Sequence, residues 1–121
     1  MKMAKLMKAG FPTRQWSEIM KYLKVEVYIP EDFEAKLVNE LNEHGYLNYN
    51  NYDYVYASCK VLGHFRPKEG ADPYVGRIGE ISKVEEIKIE FRIESKEREN
   101  VENLITLIHP YEEPVIYFTE V

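Results

Sequence analysis

The sequence predicts an α+β fold of the ferredoxin-like type, with two helices on one face of a four-stranded antiparallel sheet. Three observations lead to this prediction. Apolar and polar residues alternate in three of the four predicted strands. Two further segments carry apolar residues at helical spacing, and each of them follows a strand. The order is therefore strand, helix, strand, strand, helix, strand, and two similar halves of this kind form a βαββαβ sandwich.

The first half begins with an alternating strand at Tyr22–Ile29. Its predicted buried positions are Leu23, Val25, Val27 and Ile29. Proline and acidic residues at Pro30-Glu31-Asp32 then favour the first turn of a helix. The predicted buried stripe of this helix is Phe33, Leu37, Val38 and Leu41. Gly45 is expected to end it.

The second half begins with a predicted strand at Tyr52–Val61, followed by a long loop and a strand at Val84–Ile93. The buried positions of these strands are predicted to be Val55, Ala57, Cys59, Val61, Ile87, Ile89, Phe91 and Ile93. Ser95 is expected to cap a second helix, and Pro110 to end it. The buried stripe of that helix is predicted to be Val101, Leu104, Ile105 and Ile108. A closing strand is predicted at Val115–Thr119.

Length and charge indicate one domain with an N-terminal extension. Residues 21–121 hold the whole pattern, so we interpret residues 1–20 as a leader, a vector-derived extension or a mobile arm. Residues 1–24 contain six basic and one acidic side chain, whereas the remainder contains ten basic and twenty acidic ones. The acidic body is a poor partner for nucleic acid or an anionic membrane. The single cysteine and the lack of a signal or spanning segment favour a cytoplasmic protein.

The face of the sheet opposite the helices is predicted to be rich in tyrosine. The tyrosines expected there are Tyr22, Tyr28, Tyr52, Tyr54 and Tyr56. Aromatic residues among charges on an uncovered face are typical of an interface, which favours self-association. Two alternatives remain open. Tyrosine also favours strands for local reasons, and aromatic sheet faces bind RNA bases, although acidic residues share this face.

A long loop at Gly63–Gly79 is the first candidate site, because long ordered loops in compact domains are often functional. Its regularly spaced glycines and prolines, with Phe65 and Tyr74 as apolar anchors, predict that it packs against the domain. The candidate ligand-binding residues are His64, Arg66, Glu69, Asp72 and Tyr74.

The turn His109-Pro110-Tyr111-Glu112-Glu113-Pro114 is the second candidate. One interpretation is structural, with His109 at a helix C-terminus, where it can bond a free carbonyl. The other is a divalent-cation site, for which the possible ligands are His64, His109, Glu112 and Glu113. Spacing favours the structural interpretation, and no nucleophile–base arrangement is recognisable. A pocket could combine the loop with this turn, and the sequence leaves open whether one chain or a neighbouring subunit completes it.

Several of these motifs together resemble a known family. The segments are Asn51-Tyr52-Asp53, Gly63-His64-Phe65-Arg66-Pro67, Gly70-Ala71-Asp72-Pro73, Val84-Glu85-Glu86 and the His109–Pro114 turn. Over Met20–Val121 the chain resembles the domain inserted in the NIF-three-like proteins, also named GTP cyclohydrolase type 2 homologues. The His-Pro-Tyr-Glu-x-Pro sequence also resembles the CutA divalent-cation tolerance proteins. Both resemblances imply a PII/CutA-like version of the ferredoxin-like fold.

The resemblance implies a binding role without the enzyme. The two-metal site of the NIF-three-like proteins lies in flanking halves that have no counterpart in this sequence, so no metal ligand is carried over. The chain also departs from both families, with Val61 at a usual glycine and without the CutA tryptophan and serine motif. The prediction is a non-catalytic, oligomeric binding or regulatory module, a trimer before a dimer. The alternatives are a metal-handling protein or accessory enzyme, and a purely structural association module.

Overall fold

The computed structural model describes residues 21–121, so the extension predicted for residues 1–20 lies outside the described residues. Four strands, β1 (Tyr22–Pro30), β2 (Ala57–Phe65), β3 (Ser82–Glu94) and β4 (Ile116–Glu120), form one sheet. Two helices, α1 (Glu34–Glu43) and α2 (Arg98–Ile108), follow β1 and β3. The strand order is β2-β3-β1-β4 and every pair is antiparallel. This is the predicted α+β, ferredoxin-like architecture.

The core lies between one face of the sheet and the two helices. In β1 and β3 the predicted apolar positions are buried, and Val25, Val27 and Ile89 are fully so. The helices complete this core with Leu37, Val38, Leu41, Val101, Ile105 and Ile108. Because β1 and β3 are the central strands, their alternation reports directly which face is buried.

Both helices begin with a single 3₁₀ turn, and their ends follow local rules. The amides of Gly45 and Tyr46 donate to the carbonyls of Asn42 and Leu41, with Gly45 at φ +82°, which is a Schellman motif and confirms the predicted stop. Ser95 does not cap α2 as predicted: it opens the 3₁₀ turn Ser95–Glu97, and no side chain bonds the helix N-terminus. The backbone amide of Ser95 instead donates to the carbonyl of Lys21.

The second strand lies later in the chain than predicted. It spans Ala57–Phe65 and pairs with β3 so that Ala57, Cys59 and Val61 oppose Glu90, Lys88 and Glu86 on the face away from the helices. The prediction that these residues are buried was therefore wrong. Cys59 in particular is exposed and is not a core residue. As an edge strand, β2 has a neighbour on one side only, and no residue in it is fully buried.

Three tyrosines expected on the open sheet face lie before β2 instead. Tyr54 has φ +52°, and its hydroxyl and amide donate to Asn39 and Asn42 of α1. Tyr56 packs partly against the core, and Tyr52 is 73% exposed. The predicted position of these three residues on the open sheet face is therefore wrong, because side-chain hydrogen bonds from α1 hold the segment outside the sheet.

The open face that remains is tyrosine-poor and highly charged. Tyr22 and Tyr28 lie on it as predicted, and Tyr117 of β4 adds a third ring opposite Glu26. Between them lie ion pairs within each central strand, Lys24–Glu26 at 3.0 Å and Lys88–Glu90 at 2.8 Å. Within residues 21–121, no helix combines the length and apolar composition that crossing a bilayer requires.

Candidate functional site

A cleft of about 960 Å³ lies at one end of the open sheet face. We call it the sheet-end cleft. The sheet supplies Tyr28, Glu86 and Tyr117, while the segments 63–75 and 111–113 form its walls. These segments meet because the end of β2, the start of β3 and the start of β4 all reach the same end of the sheet. The loop and the turn therefore come together within one chain, and no neighbouring subunit is needed.

Backbone hydrogen bonds hold the loop after β2 over this cleft. Gly79 donates its amide to the carbonyl of Pro67 at 2.8 Å, which closes the loop on itself. Asp72 donates its amide to the Glu112 carboxylate at 3.1 Å, which ties the loop to the turn. Asp72 thus acts through its backbone and its side chain does not line the cleft.

Aromatic contacts pack the loop against the domain as the sequence predicts. The Tyr74 ring meets Phe33 edge-on at 6.3 Å and lies 5.9 Å from the Tyr111 ring. Gly76 approaches so closely that a Cβ there would lie 3.3 Å from the Phe65 ring and 2.5 Å from the Ser82 hydroxyl. Gly76 also has φ +95°, so the position favours glycine for its conformation as well as for space.

His109 lies behind the turn, where it is 6% exposed. Its Nε2–H donates to the Tyr28 carbonyl at 2.6 Å, and its Nδ1 accepts the Tyr111 amide at 3.1 Å. This pattern requires the neutral imidazole with its proton on Nε2. Burial lowers the pKa of His109, and the Tyr28 carbonyl and the Glu86 charge oppose that effect only in part. Both ring nitrogens are occupied, so the structural interpretation explains this residue fully.

The Glu86 side chain and the Tyr111 hydroxyl are buried polar groups at the cleft. Glu86 is only 9% exposed, and its carboxylate lies across Gly63, where a Cβ would overlap it. The Tyr111 hydroxyl is buried, and within residues 21–121 no partner meets it at full hydrogen-bond geometry. Burial raises the pKa of Tyr111 well above its usual value, and the Glu86 carboxylate, to which the phenol can donate, raises it further. The phenol is therefore protonated at neutral pH.

The structure collects most of the candidate site residues at this cleft. His64, Arg66, Glu69, Tyr74, Glu112 and Glu113 all line it. A metal centre has less geometric support, because residues 21–121 contain no cluster of three or more histidine, cysteine or acidic side chains suited to a metal ion. His64 is exposed and lies in the cleft wall, apart from the buried His109.

Sequence reasoning did not assign Glu86, Tyr28 and Tyr117 to this site. Alternation alone predicts that Glu86 and Tyr28 share the open face, and register then brings Glu86 opposite Val61, two residues before Gly63. A buried acidic residue on a face without helices is visible only once the loop is known to fold over it. No pattern in the sequence reports that burial.

A second, smaller region of about 730 Å³ lies at the opposite end of the open face. Its main feature is Arg92, whose guanidinium lies 4.5 Å from the centre of the Tyr22 ring and 4.9 Å from that of Tyr49. Such cation–π contacts stabilise the end of the sheet. Because the guanidinium already contacts two rings, we interpret this region as a contribution to stability and not as a ligand site.

Comparison with known proteins places this chain in a family. The segment matches the GTP cyclohydrolase 1 type 2 homologue of Staphylococcus aureus strain Mu50 with 39% identity over 100 residues, which is 83% of this chain. The corresponding Staphylococcus epidermidis protein (strain ATCC 12228) is 38% identical over 97 residues. This chain is a homologue of the domain inserted in NIF-three-like proteins. It spans about a quarter of the relatives' own length, 27% and 26% respectively.

Solved structures agree with this assignment. The Bacillus cereus protein related to NIF3 superposes on 84% of this NIF-three-like domain with a TM-score of 0.72 and 27% identity, and the match covers 26% of that protein. The CutA protein of Archaeoglobus fulgidus matches 83% of both chains with a TM-score of 0.63 and 13% identity, which shows a shared fold. No family model matches the chain.

Proposed function

We propose that this chain is a non-catalytic, self-associating binding module of the PII/CutA-like type. The observation that carries the proposal is the sheet-end cleft, in which a long loop is fastened over two buried polar groups, Glu86 and Tyr111. A loop fixed by Asp72 and Gly79 hydrogen bonds gives the cleft a preformed shape, and preformed clefts with few polar groups are typical ligand sites.

The geometry favours binding over catalysis. His109 is not available as a general base, because both of its ring nitrogens are hydrogen-bonded. Among the described residues, no serine, threonine or cysteine lines the cleft as a nucleophile that a carboxylate or His64 could activate. The exposed Cys59 lies on β2 and does not line the cleft. The name of the relatives is not evidence of an activity in this chain, because the chain spans only 27% of their length. A regulatory or sensing role therefore fits the described residues better than a chemical one.

Self-association is the second part of the proposal, and the charges on the open face support it. Positive and negative side chains alternate along both central strands, and cross-strand neighbours include Glu26 with Glu90. A face that carries both signs in alternation is complementary to a second copy of itself. The CutA-like fold favours a trimer first and a dimer second.

Two substitutions on the same strand test this association. Cys59→Glu adds a charge to the open face beside Lys88, whereas Leu62→Glu adds the same charge to the opposite face of β2, where Leu62 is 53% exposed. We expect sedimentation equilibrium of the wild type at micromolar concentration to give a multiple of 14.4 kDa. Cys59→Glu should shift this mass towards the monomer, and Leu62→Glu should not. A monomeric wild type would overturn the self-association proposal.

Ligand binding is tested separately by thermal shift with nucleotides, divalent metals and small organic ions. A ligand that binds the folded state raises Tm by mass action. The Tyr74→Ala variant serves as the cleft control, because it removes the ring that joins the loop to Phe33 and Tyr111. A ligand that raises Tm in the wild type but not in Tyr74→Ala supports the cleft. If no compound shifts Tm, the purely structural association module becomes the better description.

A further inference from the structure

The sheet-end cleft contains a carboxylate, that of Glu86, which forms no ion pair within residues 21–121. Glu86 is 9% exposed, although neither helix of residues 21–121 covers its face of the sheet. Within residues 21–121 no lysine or arginine forms an ion pair with it, whereas Lys88 on the same strand pairs with Glu90. Burying a carboxylate is costly unless a cation or hydrogen-bond donors offset the desolvation. The cleft therefore favours a positively charged partner.

The Tyr111 hydroxyl is the second buried group at this position. No atom of residues 21–121 meets its oxygen at full hydrogen-bond geometry, although the phenol lies where it can donate to the neighbouring Glu86 carboxylate, and both burial and this neighbour raise the pKa of Tyr111. Buried polar atoms without partners are rare and call for an explanation. A ligand with several N–H donors satisfies both groups together, because it can donate to the Glu86 carboxylate and to the phenolic oxygen.

Aromatic rings surround these two groups. Tyr28 and Tyr117 meet edge-on at 6.2 Å on the sheet, and Tyr74 and Tyr111 lie 5.9 Å apart between the loop and the turn. Together with Phe65, these tyrosines make five aromatic side chains that line the cleft. Aromatic faces attract organic cations through their quadrupole, and the rings also pack against aliphatic chains.

The other charged side chains of the cleft also favour a positively charged ligand. The lining contains four acidic side chains, Glu69, Glu86, Glu112 and Glu113, against the basic Arg66 and Lys68. An anionic ligand such as a nucleotide is disfavoured by this balance. A bare divalent cation would require a cluster of three or more ligating side chains, and residues 21–121 contain none.

We propose that the sheet-end cleft binds an aliphatic amine, with one ammonium group donating to Glu86 and Tyr111 while its carbon chain packs against the tyrosine rings. Diamines and polyamines carry a second ammonium group, which the carboxylates of the loop and the turn can take. This inference rests on the proposed binding function, because it names the ligand class for the same cleft.

Two variants separate the role of the Glu86 charge from its position. Glu86→Gln removes the charge and keeps the size of the side chain. Gly63→Ala keeps the charge but places a Cβ where the carboxylate now lies, so the flexible end of Glu86 has to move. The matched control is Glu85→Gln. It removes the same charge from the preceding residue of β3, whose exposed side chain lies on the opposite face of the sheet. Circular dichroism checks that each variant is folded.

The experiment is isothermal titration with putrescine and spermidine at about 0.15 M ionic strength, where exposed charges are largely screened. We expect wild type and Glu85→Gln to bind alike, and Glu86→Gln and Gly63→Ala to bind at least tenfold more weakly. Butane-1,4-diol, which has the chain of putrescine without its charge, should not bind. Equal amine affinity in Glu86→Gln and wild type would overturn the proposal, since it would indicate general attraction to an acidic surface.

Two other outcomes distinguish this inference from the proposed function. If neither amine binds but ATP or zinc binds the wild type and not Glu86→Gln, the amine class is wrong and the binding module stands. If neither amine, ATP nor zinc binds, the amine proposal and the ligand-binding part of the proposed function both fail. Self-association is measured independently and is unaffected by either result.

Discussion

Single buried polar side chains determine how the ends of this fold are joined. His109 links three segments, since it follows α2, donates to the Tyr28 carbonyl in β1 and accepts the amide of Tyr111 in the turn. Its backbone is extended at ψ 132°, as expected for a residue before proline, and this directs the chain out of the helix. The histidine therefore sets the position of the turn that forms one wall of the cleft.

The neutral state of His109 predicts a pH dependence of stability. Burial lowers the pKa of His109 in the folded protein, whereas an unfolded histidine has a pKa near ~6.5. The unfolded chain thus takes up the proton more readily, so the contribution is complete above about pH 6.5 and is lost as pH falls towards the lower folded pKa. Urea unfolding of the wild type should show a steeper loss between about pH 7.5 and 5 than that of His109→Gln.

The control for this prediction is His64→Gln, which changes an exposed histidine and should leave the pH dependence of the wild type in place. At pH 7.5, His109→Gln should also be less stable by roughly 1–3 kcal/mol, because buried backbone groups lose their partners. A pH profile that is identical in wild type and His109→Gln would contradict the neutral, buried assignment.

At the scale of elements, the sequence predicts best those that are buried on one side. The core face of β1 and β3 and the buried stripes of α1 and α2 follow from periodicity, because each element has one covered and one open face. Leu47 is an exception: it is 1% exposed in the turn after α1, where no periodic pattern marks it. The amide of Val55 donates to its carbonyl, which fastens the following segment.

The error in β2 has a physical reason. An edge strand with both faces largely exposed is under little pressure to alternate, so Tyr52–Val61 and the true strand Ala57–Phe65 match the pattern equally well. The positive φ angles of Asn50 and Tyr54 break the extended conformation in between. The hydrogen bonds to Asn39 and Asn42 that fix this segment connect residues distant in sequence, and period-2 patterns contain no information about them.

The long loop between β2 and β3 is expected to be ordered as one unit. Tyr74 packs on Phe33 and Tyr111, and aromatic pairs of this kind contribute roughly 0.5–1.5 kcal/mol each. Amide hydrogen exchange should therefore show protection at Gly79 and Asp72, whose amides are bonded. Tyr74→Ala should raise exchange throughout residues 68–79 and leave β1 and β3 unchanged.

Tyr52→Ala is the matched control for the loop, since this tyrosine is 73% exposed outside the loop. It should leave the exchange of residues 68–79 as in the wild type. Rapid exchange of those residues in the wild type itself would show that the loop does not stay folded over the cleft.

At the scale of the whole molecule, the sequence identified both segments of the cleft but not how they meet. The loop and the turn are distinctive in composition, so they could be recognised as candidate site segments. Their contact within one chain depends on β4 pairing with β1 and on the loop returning across the end of the sheet. Glu86 belongs to the site only because the loop folds back over it. The alternation in β3 therefore predicts that Glu86 lies on the open face, but not that it is buried in a cleft.

The described domain predicts that residues 1–19 are dispensable for folding. Within residues 21–121, fifteen buried apolar residues between Leu23 and Ile108 form one core cluster, which is the basis of this expectation. A chain beginning at Met20 should therefore keep the Tm of the full chain in differential scanning calorimetry.

Burying a large apolar side chain contributes roughly 1.5–3 kcal/mol to stability, and each kcal/mol shifts Tm by about 4 °C or more in a domain of this size. A drop of roughly 6 °C or more on truncation would therefore show that Trp16 packs against the domain or across a subunit contact. Repeating the measurement with Trp16→Ala in the full chain tests the tryptophan itself, because only a docked tryptophan reproduces the drop without shortening the chain.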